Sequence, residues 1–563
     1  MHQPNFGDPN VEIRRIRKQC VEAILPLFDD SEGPGFMTRT IEHAETLPHI
    51  MDFTRIRCLE SFFALIRRGI SNVIEYNENH ADFPLSEGQV VSYMTKWLVF
   101  CALWGIGGSM NLQTRTAFGE ELRNSSTADM PSQAANVPLL DHEVRVEDQA
   151  WHLWKKRVPT VQIEPSKVIE ASTVISTVDT CRHQEVLCSW LSEHRPFLLC
   201  GPPGSGKTMT LMATLKMLTD MEMIFINFSS STLPDLILKT FDHYCEYKKT
   251  PQGVVLRPRQ LDKWLVVFCD EINLPDEDKY GTQVVIAFLR QITEHHGFWR
   301  SSDKQFVRLE RIQFVGACNP PTDAGRHPLS ARFLRHTPLI FVDFPGPESL
   351  KQIFGTFNSA MLSRLPALKG SAEPLTEAMV EFYSRSQQHF TADQQPHYIY
   401  SPRELTRWKY AIYEALSAVE GVEDLVRLFV HEGLRLFEDR LVHPEEKEWC
   451  NEALDEVARK WFPAMDSEKA LRRPMLFSNF IKKDYVSVSQ EELKHYIEGR
   501  LRTFYEEELN VQLVVFDTVI DHILRIDRVL RQPLGHLLLV GASGVGKTTL
   551  TRFVAWLNNL QVF

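Results

Sequence analysis

The sequence predicts an α/β fold in which helices cover a parallel sheet, with all-helical segments before and after it. Short apolar runs alternate with helical segments between about residues 181 and 345. Near-continuous apolar strands separated in this way are typical of a parallel sheet buried on both faces. A glycine-rich phosphate-binding pattern follows the first run, and the pattern recurs 340 residues later at Gly541. The architecture is therefore expected to repeat as whole modules.

Five apolar runs are the predicted strands of this sheet: "PFLLC", "MEMIFINFS", "WLVVFCDE", "IQFVGACN" and "LIFVDF". Between residues 10 and 122, apolar residues recur at three- and four-residue intervals, which predicts helices. The polar stretch 123–138 predicts an exposed connection. The helical pattern returns from about 346 to 462, and a new strand, loop and helix are predicted to begin at Leu537.

Composition limits the classes of partner. The chain has 563 residues, which is too long for a single core. Its net charge of −11 gives no overall basic field, so neither nucleic acid nor an acidic membrane surface is expected as a partner. The ten cysteines are scattered and are interpreted as reduced thiols of a cytosolic protein. The most apolar stretch, 97–104, is too short to cross a bilayer and is predicted to be a buried helix.

Two segments fit the pattern G-x-x-x-x-G-K-[ST] after an apolar run. In this pattern backbone N–H groups surround the phosphates, the lysine reaches the β- and γ-phosphates, and the hydroxyl residue binds Mg²⁺. Thr208 and Thr548 are therefore candidate magnesium ligands. The candidate nucleotide-binding residues are Gly201, Pro202, Pro203, Gly204, Ser205, Gly206, Lys207, Thr208, Gly541, Ala542, Ser543, Gly544, Val545, Gly546, Lys547 and Thr548.

Further candidates follow the later predicted strands. Asp270 and Glu271 end the third strand, where one carboxylate can hold the water shell of Mg²⁺ and the other can polarise the attacking water. Asn319 ends the fourth strand, and its amide can orient this water or contact the γ-phosphate. These carboxylate and amide residues are the predicted catalytic group.

Three arginines are candidates for contacts with phosphate. Arg332 and Arg335 lie beside an apolar stretch, and an arginine supplied across a module boundary can stabilise the transition state. Arg403 follows Ser401 and Pro402, with Glu404 completing a predicted capping box. Positive charge in the first turn of a helix is unfavourable, which suggests an anionic partner for Arg403, such as the γ-phosphate.

In this order, these motifs resemble an AAA+ ATPase module. The strings "GPPGSGKTMTL", "FCDEINLPDEDKYGTQ", "FVGACNPPTDAGRHPLSARFLRH", "PHYIYSPREL" and "HLLLVGASGVGKTTLTRFVAWLNN" resemble, more narrowly, the motor region of dynein heavy chains of the cytoplasmic kind. The resemblance covers residues 10–563. It implies AAA+ P-loop modules, each with a parallel five-stranded sheet and flanking helices, and each followed by an all-α lid.

The resemblance also implies an order of domains within a six-module ring. Residues 1–125 would be the lid of the second module, 126–180 a connection, 181–345 the α/β core and 346–465 the lid of the third module, and 466–563 the start of the fourth. The chain would then be a fragment of a larger heavy chain, cut after its second phosphate-binding loop.

Function and site roles follow from the same resemblance. The third module would bind ATP or ADP with Mg²⁺ and hydrolyse ATP slowly, as a regulator of a minus-end-directed microtubule motor in the cytoplasm. Asn319 and Arg403 would contact the γ-phosphate, and Arg332, ahead of Arg335, would act on the site of the preceding module. The implied partners are the rest of the ring and, through parts outside this chain, microtubules and the intermediate, light intermediate and light chains.

Two other functions stay open on the sequence alone. Without an arginine from the next module, the chain could be a nucleotide-binding scaffold that does not turn over, because such arginines contribute roughly 10³- to 10⁵-fold in rate. The other alternative is a midasin-type AAA+ remodeller, which also has concatenated modules.

Overall fold

A computed structural model describes residues 11–562, except for residues 30, 32, 127, 132–136, 160, 171–172, 261, 301, 508–513 and 533–534. The chain divides into two compact units. Unit 1 contains Met1–Thr160 and Val174–Ser349, and unit 2 contains Val161–Thr173 and Leu350–Phe563.

Unit 1 begins with five helices, which confirms the helical prediction for this segment. They are α1 Val11–Ile24, α2 Phe36–Thr46, α3 Arg55–Asn79, α4 Glu87–Gly105 and α5 Leu112–Ser125. The span Glu87–Ser109, which contains α4, has the length and apolarity of a membrane-crossing helix, but 83% of its most apolar window is buried inside the protein. Trp97 and Trp104 are both buried, so α4 is a core helix, as predicted for residues 97–104.

The polar stretch 123–138 was predicted to be an exposed connection. Its residues 127 and 132–136 lie outside the described part of the chain, and Arg123 belongs to the last turn of α5. An antiparallel hairpin follows, formed by β1 His142–Val144 and β2 Trp151–Leu153.

The remainder of unit 1 alternates strands and helices. Its elements are α6 Val178–Ser192, β3 Phe197–Cys200, α7 Lys207–Leu215, β4 Met221–Asn227, α8 Pro234–Tyr244, β5 Cys245–Thr250, β6 Gly253–Pro258, β7 Trp264–Asp270, α9 Val284–His295, β8 Gly297–Trp299, β9 Phe306–Leu309, β10 Ile312–Cys318, α10 Ala331–Leu334 and β11 Leu339–Phe341.

Five of these strands form one sheet in the order β11-β3-β10-β7-β4, and all four pairings are parallel. The predicted parallel five-stranded sheet is therefore confirmed. All residues of β3 are buried, and so are the middle residues of β7 and β10, which explains their continuous apolar sequences. Because the strands are parallel, their carboxyl ends meet at one edge, where open α/β sheets bind ligands.

A second sheet was not predicted. It has the order β5-β6-β9-β8, in which β5 and β6 form a hairpin, β8 pairs antiparallel with β9, and β6 and β9 are parallel. Residues 246–249 of β5 are all exposed, so this strand lacks the apolar run by which the strands of the main sheet were recognised.

Helix α11, Pro347–Leu362, leads into unit 2. The other elements are α12 Ala372–His389, α13 Pro402–Ala415, α14 Val422–Phe437, α15 Pro444–Trp461, α16 Ser467–Ala470, β12 Phe477–Ser478, β13 Val486–Ser487, α17 Gln490–Glu507, α18 Asp517–Arg531 and α19 Lys547–Leu557. Helices α11 to α15 confirm the helical prediction for residues 346–462. Aromatic and aliphatic side chains form their shared core, with Trp408 stacked on Phe429.

The prediction of a strand before the second phosphate-binding pattern was wrong. Residues 537–540 have no strand partner, and Leu538 and Val540 are 85% and 88% exposed. A strand forms only where a neighbour accepts and donates its backbone hydrogen bonds. No such neighbour lies among the described residues of unit 2, so the apolar run alone does not suffice.

Candidate nucleotide-binding site

The candidate site lies at the carboxyl edge of the five-stranded sheet in unit 1. Cys200, the last residue of β3, is in register with Cys318, the last residue of β10. Asp270 ends β7, the strand on the other side of β10. The loop after β3 and the two predicted polar strand ends therefore converge at one place.

The loop Gly201–Thr208 turns directly from β3 into α7. Gly204 and Gly206 have φ angles of +85° and +89°, which favour glycine, and Gly206 is the N-cap of α7. Lys207 is thus the first residue of the helix, whose N-terminal N–H groups are available to an anion.

Lys207 has its ammonium directed at the loop. Its Nζ donates to the carbonyl oxygens of Gly201 and Pro202 at 2.7 and 3.1 Å, and to Asn319 Oδ1 at 3.2 Å. The residue is buried, and this burial lowers the pKa of Lys207 below its usual range, against the opposing effect of nearby groups that include Glu271 and Asp270. The lysine thus links the phosphate loop to the predicted asparagine at the end of β10.

Asp270 and Glu271 occupy the turn after β7. Asp270 Oδ1 accepts a hydrogen bond from Glu271 N at 3.0 Å. Glu271 has φ +58°, a left-handed conformation that costs of order 1–3 kcal/mol in a non-glycine residue and persists at functional sites. The Glu271 carboxylate contacts the guanidinium of Arg326, which lies in the loop after β10.

Asn319 is buried where β10 ends, and a second asparagine fixes its backbone. Asn273 is fully buried and donates from Nδ2 to the Asn319 carbonyl oxygen at 2.9 Å. The Asn273 carbonyl oxygen accepts from His327 N at 3.0 Å. The loops that follow β7 and β10 are therefore joined by two hydrogen bonds, both made by Asn273.

The donor set fits a nucleoside phosphate with Mg²⁺. Ser205 Oγ is buried and makes no hydrogen bond to the described residues, so a polar atom within the loop is left for a ligand. The Thr208 hydroxyl and the Asp270 carboxylate are oxygen donors of the kind that Mg²⁺ prefers. In the described ranges, no group of three or more His, Cys, Asp or Glu residues could hold a metal ion. Mg²⁺ is usually held by one or two carboxylates together with substrate phosphates.

The two neighbouring arginine candidates differ in their surroundings. Arg335 Nη2 donates to Glu294 Oε1 at 2.7 Å, and its Nε donates to His336 Nε2 at 2.8 Å. Arg332, on the short helix α10, is exposed. Its guanidinium is therefore available to a group outside unit 1, whereas the guanidinium of Arg335 is already paired.

The second loop, Gly541–Thr548, reproduces the geometry of the first within unit 2. Gly544 and Gly546 have φ angles of +81° and +82°, and Lys547 begins α19. Lys547 Nζ donates to Gly541 O at 2.7 Å and Ala542 O at 2.6 Å. Residues 541–545 are exposed, in contrast to the first loop, because residues 537–540 are not part of a sheet.

Arg403 also belongs to unit 2. The predicted capping box is present: Ser401 N donates to Glu404 Oε2 at 2.8 Å, Pro402 is the first residue of α13, and Arg403 N donates to Ser401 Oγ at 3.3 Å. Arg403 therefore stands in the first turn of this helix, as predicted. Its predicted contact with phosphate stays a prediction.

Sequence reasoning missed Arg326 and Asn273. Asn273 lies two residues after Glu271, and Arg326 lies seven residues after Asn319. The sequence feature that could have identified them is a second polar residue in the loop that follows a strand. The geometry that distinguishes these two from other loop residues exists only in the folded chain.

Four family models match the chain. Residues 24–156 match the dynein heavy chain AAA lid domain, 162–345 the P-loop containing dynein motor region, 357–447 the dynein heavy chain ATPase lid domain, and 511–563 the P-loop containing dynein motor region D4. All four describe dynein heavy chains, and none supports the midasin-type alternative.

Curated relatives agree with these matches. The chain is 62% identical to a cytoplasmic dynein heavy chain of Paramecium tetraurelia over 99% of its own length. It is 55% and 56% identical to those of Drosophila melanogaster and Dictyostelium discoideum over 98%. In each case the match covers 12% of the relative, so the chain spans about one eighth of these proteins.

Proposed function

The chain belongs to the dynein heavy chain family, and on this premise we propose that it is a regulatory, ATP-binding and ATP-hydrolysing part of a minus-end-directed microtubule motor. Residues 181–345 would be the α/β core of the third AAA+ module. The observation that carries this proposal is the convergence of Lys207, Asp270, Glu271 and Asn319 at one edge of the parallel sheet.

Each of these side chains has a distinct task in the proposed reaction. Lys207 would bind the β- and γ-phosphate oxygens, and the N-terminal N–H groups of α7 would add to the positive field. Thr208 and Asp270 would hold Mg²⁺, which neutralises part of the phosphate charge when bound. Glu271 would orient and polarise the attacking water, and Asn319 would hold the γ-phosphate or this water through its amide.

The remaining candidates extend the site to neighbouring modules. Arg332, rather than the paired Arg335, would reach the nucleotide of the preceding module. Arg403 would bring the lid of the third module, residues 346–465, to the γ-phosphate. Gly541–Thr548 would bind nucleotide in the fourth module, with Thr548 as a magnesium ligand. Residues 1–125, 126–180 and 466–563 would be the lid of the second module, a connection, and the start of the fourth.

The partners and the location follow from the family. The cytoplasmic dynein heavy chains named above are the relatives, so we expect a cytoplasmic protein of the microtubule cytoskeleton. Its direct partner would be the rest of the heavy chain ring. Microtubules and the intermediate, light intermediate and light chains would be bound through other parts of the heavy chain.

Nucleotide binding and turnover are tested in a heavy chain that contains the whole ring. Lys207→Ala should abolish ATP binding at the first loop, because the only lysine of that loop is lost. Glu271→Gln should retain binding and slow single-turnover hydrolysis by about 10²- to 10⁴-fold, the usual contribution of a general base. Lys216→Ala, at an exposed lysine at the end of α7, is the matched control and should change neither quantity.

The outcomes separate the proposed function from the scaffold alternative. Equal ATP affinities of the wild type, Lys207→Ala and Glu271→Gln would contradict the site assignment. Binding that depends on Lys207, with turnover at this site in the whole ring but none by residues 1–563 alone, would instead identify this part of the heavy chain, on its own, as a nucleotide-binding scaffold.

A further inference from the structure

Arg326 and Glu271 form an ion pair, and within the described ranges neither side chain has a second ion-pair partner. Arg326 Nη1 contacts Glu271 Oε2, and the exposed fractions of the two side chains are 14% and 33%. Both atoms are buried, and apart from their contact with each other neither has a hydrogen-bond partner among the residues that the structure describes. Removing a buried charge from its partner is costly, so each atom needs a replacement partner if the pair opens.

The backbone keeps both members of the pair in place. Asn273 joins the two loops through Asn319 on one side and His327 on the other, at 2.9 and 3.0 Å. Ile272 N donates to Ala317 O at 3.0 Å, which anchors the residue after Glu271 to β10. A change of partner can therefore occur through side-chain rotation while both loops stay attached to each other.

Asp323 connects Arg326 electrostatically with the lysine of the first loop. The carboxyl group of Asp323 has its pKa raised by burial, and Arg326 and Lys207 both oppose this effect electrostatically. Asp323 N and Arg326 N donate to carbonyl oxygens within the same turn, those of Pro320 and Asp323, at 3.1 and 3.2 Å. This turn therefore holds Arg326 beside Asp323, a carboxyl group that also interacts electrostatically with Lys207.

We propose that Arg326 is a positioning residue that exchanges partners: it holds the carboxylate of Glu271, and it transfers to the γ-phosphate when ATP binds, which frees Glu271 to face the attacking water. This inference rests on the proposed function of the first loop. An arginine binds carboxylate and phosphate oxygens with the same planar set of N–H donors, so one anion can replace the other. The γ-phosphate supplies the partner that Arg326 needs, and water supplies the one that Glu271 needs.

ADP has no γ-phosphate, so the exchange distinguishes ATP from ADP. The carboxylate and the γ-phosphate compete for one guanidinium. Weakening the carboxylate should therefore strengthen ATP binding, and removing the guanidinium should weaken it, while ADP binding stays unchanged. A residue that only stabilises the loop would affect both nucleotides alike.

The test measures the dissociation constants of ADP and of the slowly hydrolysed analogue ATPγS, both with Mg²⁺, in a heavy chain containing the whole ring. Lys547→Ala and the matching lysine-to-alanine changes in the other modules restrict binding to the first loop. Arg326→Gln is expected to weaken ATPγS binding by about 10- to 100-fold, the contribution of a hydrogen bond to a charged group, and to leave ADP binding unchanged. Glu271→Gln is expected to tighten ATPγS binding without affecting ADP binding.

Two further variants distinguish charge from structure. Arg326→Lys retains the positive charge and is expected to recover part of the ATPγS affinity. Arg308→Gln removes an exposed arginine from β9 and should leave both dissociation constants unchanged. Thermal unfolding identifies any variant that fails to fold, and Glu271→Gln then still tests the exchange from the other side of the pair.

The results that would contradict the partner exchange differ from those that would contradict the proposed function. If Arg326→Gln weakens ADP and ATPγS binding equally, or if Glu271→Gln binds ATPγS no more tightly than the wild type, then Arg326 does not exchange partners. If Lys207→Ala also leaves both affinities unchanged, the proposed function of the loop fails together with this inference.

Discussion

Gly201 lies against Val342 so closely that a Cβ atom built on it would be 2.1 Å from the Val342 carbonyl oxygen and 2.9 Å from Ser205 Oγ. The first of these neighbours is backbone directly after β11, where Val342 N donates to Cys200 O at 2.7 Å. The first residue of the phosphate loop is therefore fixed by a sheet neighbour as well as by its own turn.

Gly201→Ala should distort the loop and prevent nucleotide binding, because the backbone oxygen of Val342 cannot rotate away as a side chain can. Overpacking of this kind costs typically about 1–3 kcal/mol in stability. Binding of labelled ATP and the melting temperature measure the two effects. Gly346→Ala is the control, since a Cβ atom there would meet nothing within 4 Å. A Gly201→Ala protein with normal affinity for ATP would show that the loop tolerates the shift.

We expect different effects from Arg332→Ala and Arg335→Ala. Arg332 is proposed to act on the site of the preceding module, whereas Arg335 forms an ion pair within its own module. Arg332 is exposed, so its loss should slow hydrolysis at the preceding module, and an arginine in that role contributes roughly 10³- to 10⁵-fold. Arg335 pairs with Glu294, so its loss should reduce stability slightly and leave the rate of hydrolysis unchanged. Single-turnover hydrolysis in the whole ring and thermal unfolding provide the measurements. The reverse order of the two rate effects would assign the role to Arg335.

The sequence predicted correctly those parts of the fold that a single local sequence pattern identifies. The strands of the main sheet are buried on both faces, so their apolar runs identified them, and the fixed spacing around Lys207 identified the loop. The β5–β6 hairpin was not predicted, because β5 exposes charged residues and has no apolar run. A strand was wrongly predicted at residues 537–540, because these residues are apolar but lack a strand partner. In both cases the structure depends on pairing with a neighbouring strand. The contact between Glu271 and Arg326 joins residues 55 positions apart in two loops, which no local pattern encodes.

Glu432 and Arg528 form a buried ion pair between α14 and α18 within unit 2, with exposed side-chain fractions of 1% and 10%. Arg528 Nε donates to Glu432 Oε2 at 2.8 Å. Glu432→Gln should therefore destabilise unit 2 by about 3–5 kcal/mol, because it leaves Arg528 as an uncompensated buried charge. Urea unfolding provides the measurement, with Glu452→Gln at an exposed position of α15 as the control, expected within about 0.5 kcal/mol of the wild type. Equal free energies of unfolding for Glu432→Gln and Glu452→Gln would show that the ion pair contributes nothing to the stability of unit 2.

His431 should make the stability of unit 2 fall as the pH drops below 6.5. Burial, with Arg435 and Arg528 nearby, holds the pKa of His431 well below its ordinary value, and its ring nitrogens contact Met475 O and Tyr485 Oη at 3.1 Å. Below pH 6.5 the unfolded chain binds a proton that the folded chain does not, so the free energy of unfolding decreases by up to about 1.4 kcal/mol per pH unit.

His431→Gln should remove this contribution, so the stability difference between variant and wild type should change between pH 7.5 and 5.5. Urea unfolding at both pH values measures it. The matched control is His495→Gln, at an exposed histidine of α17, which should keep the wild-type pH dependence. If the free energy of unfolding depends on pH in the same way in the wild type and in His431→Gln, then His431 binds its proton in the folded chain. The nearest acidic group that could stabilise this proton is Glu432, whose Oε1 lies 3.9 Å from His431 Nε2.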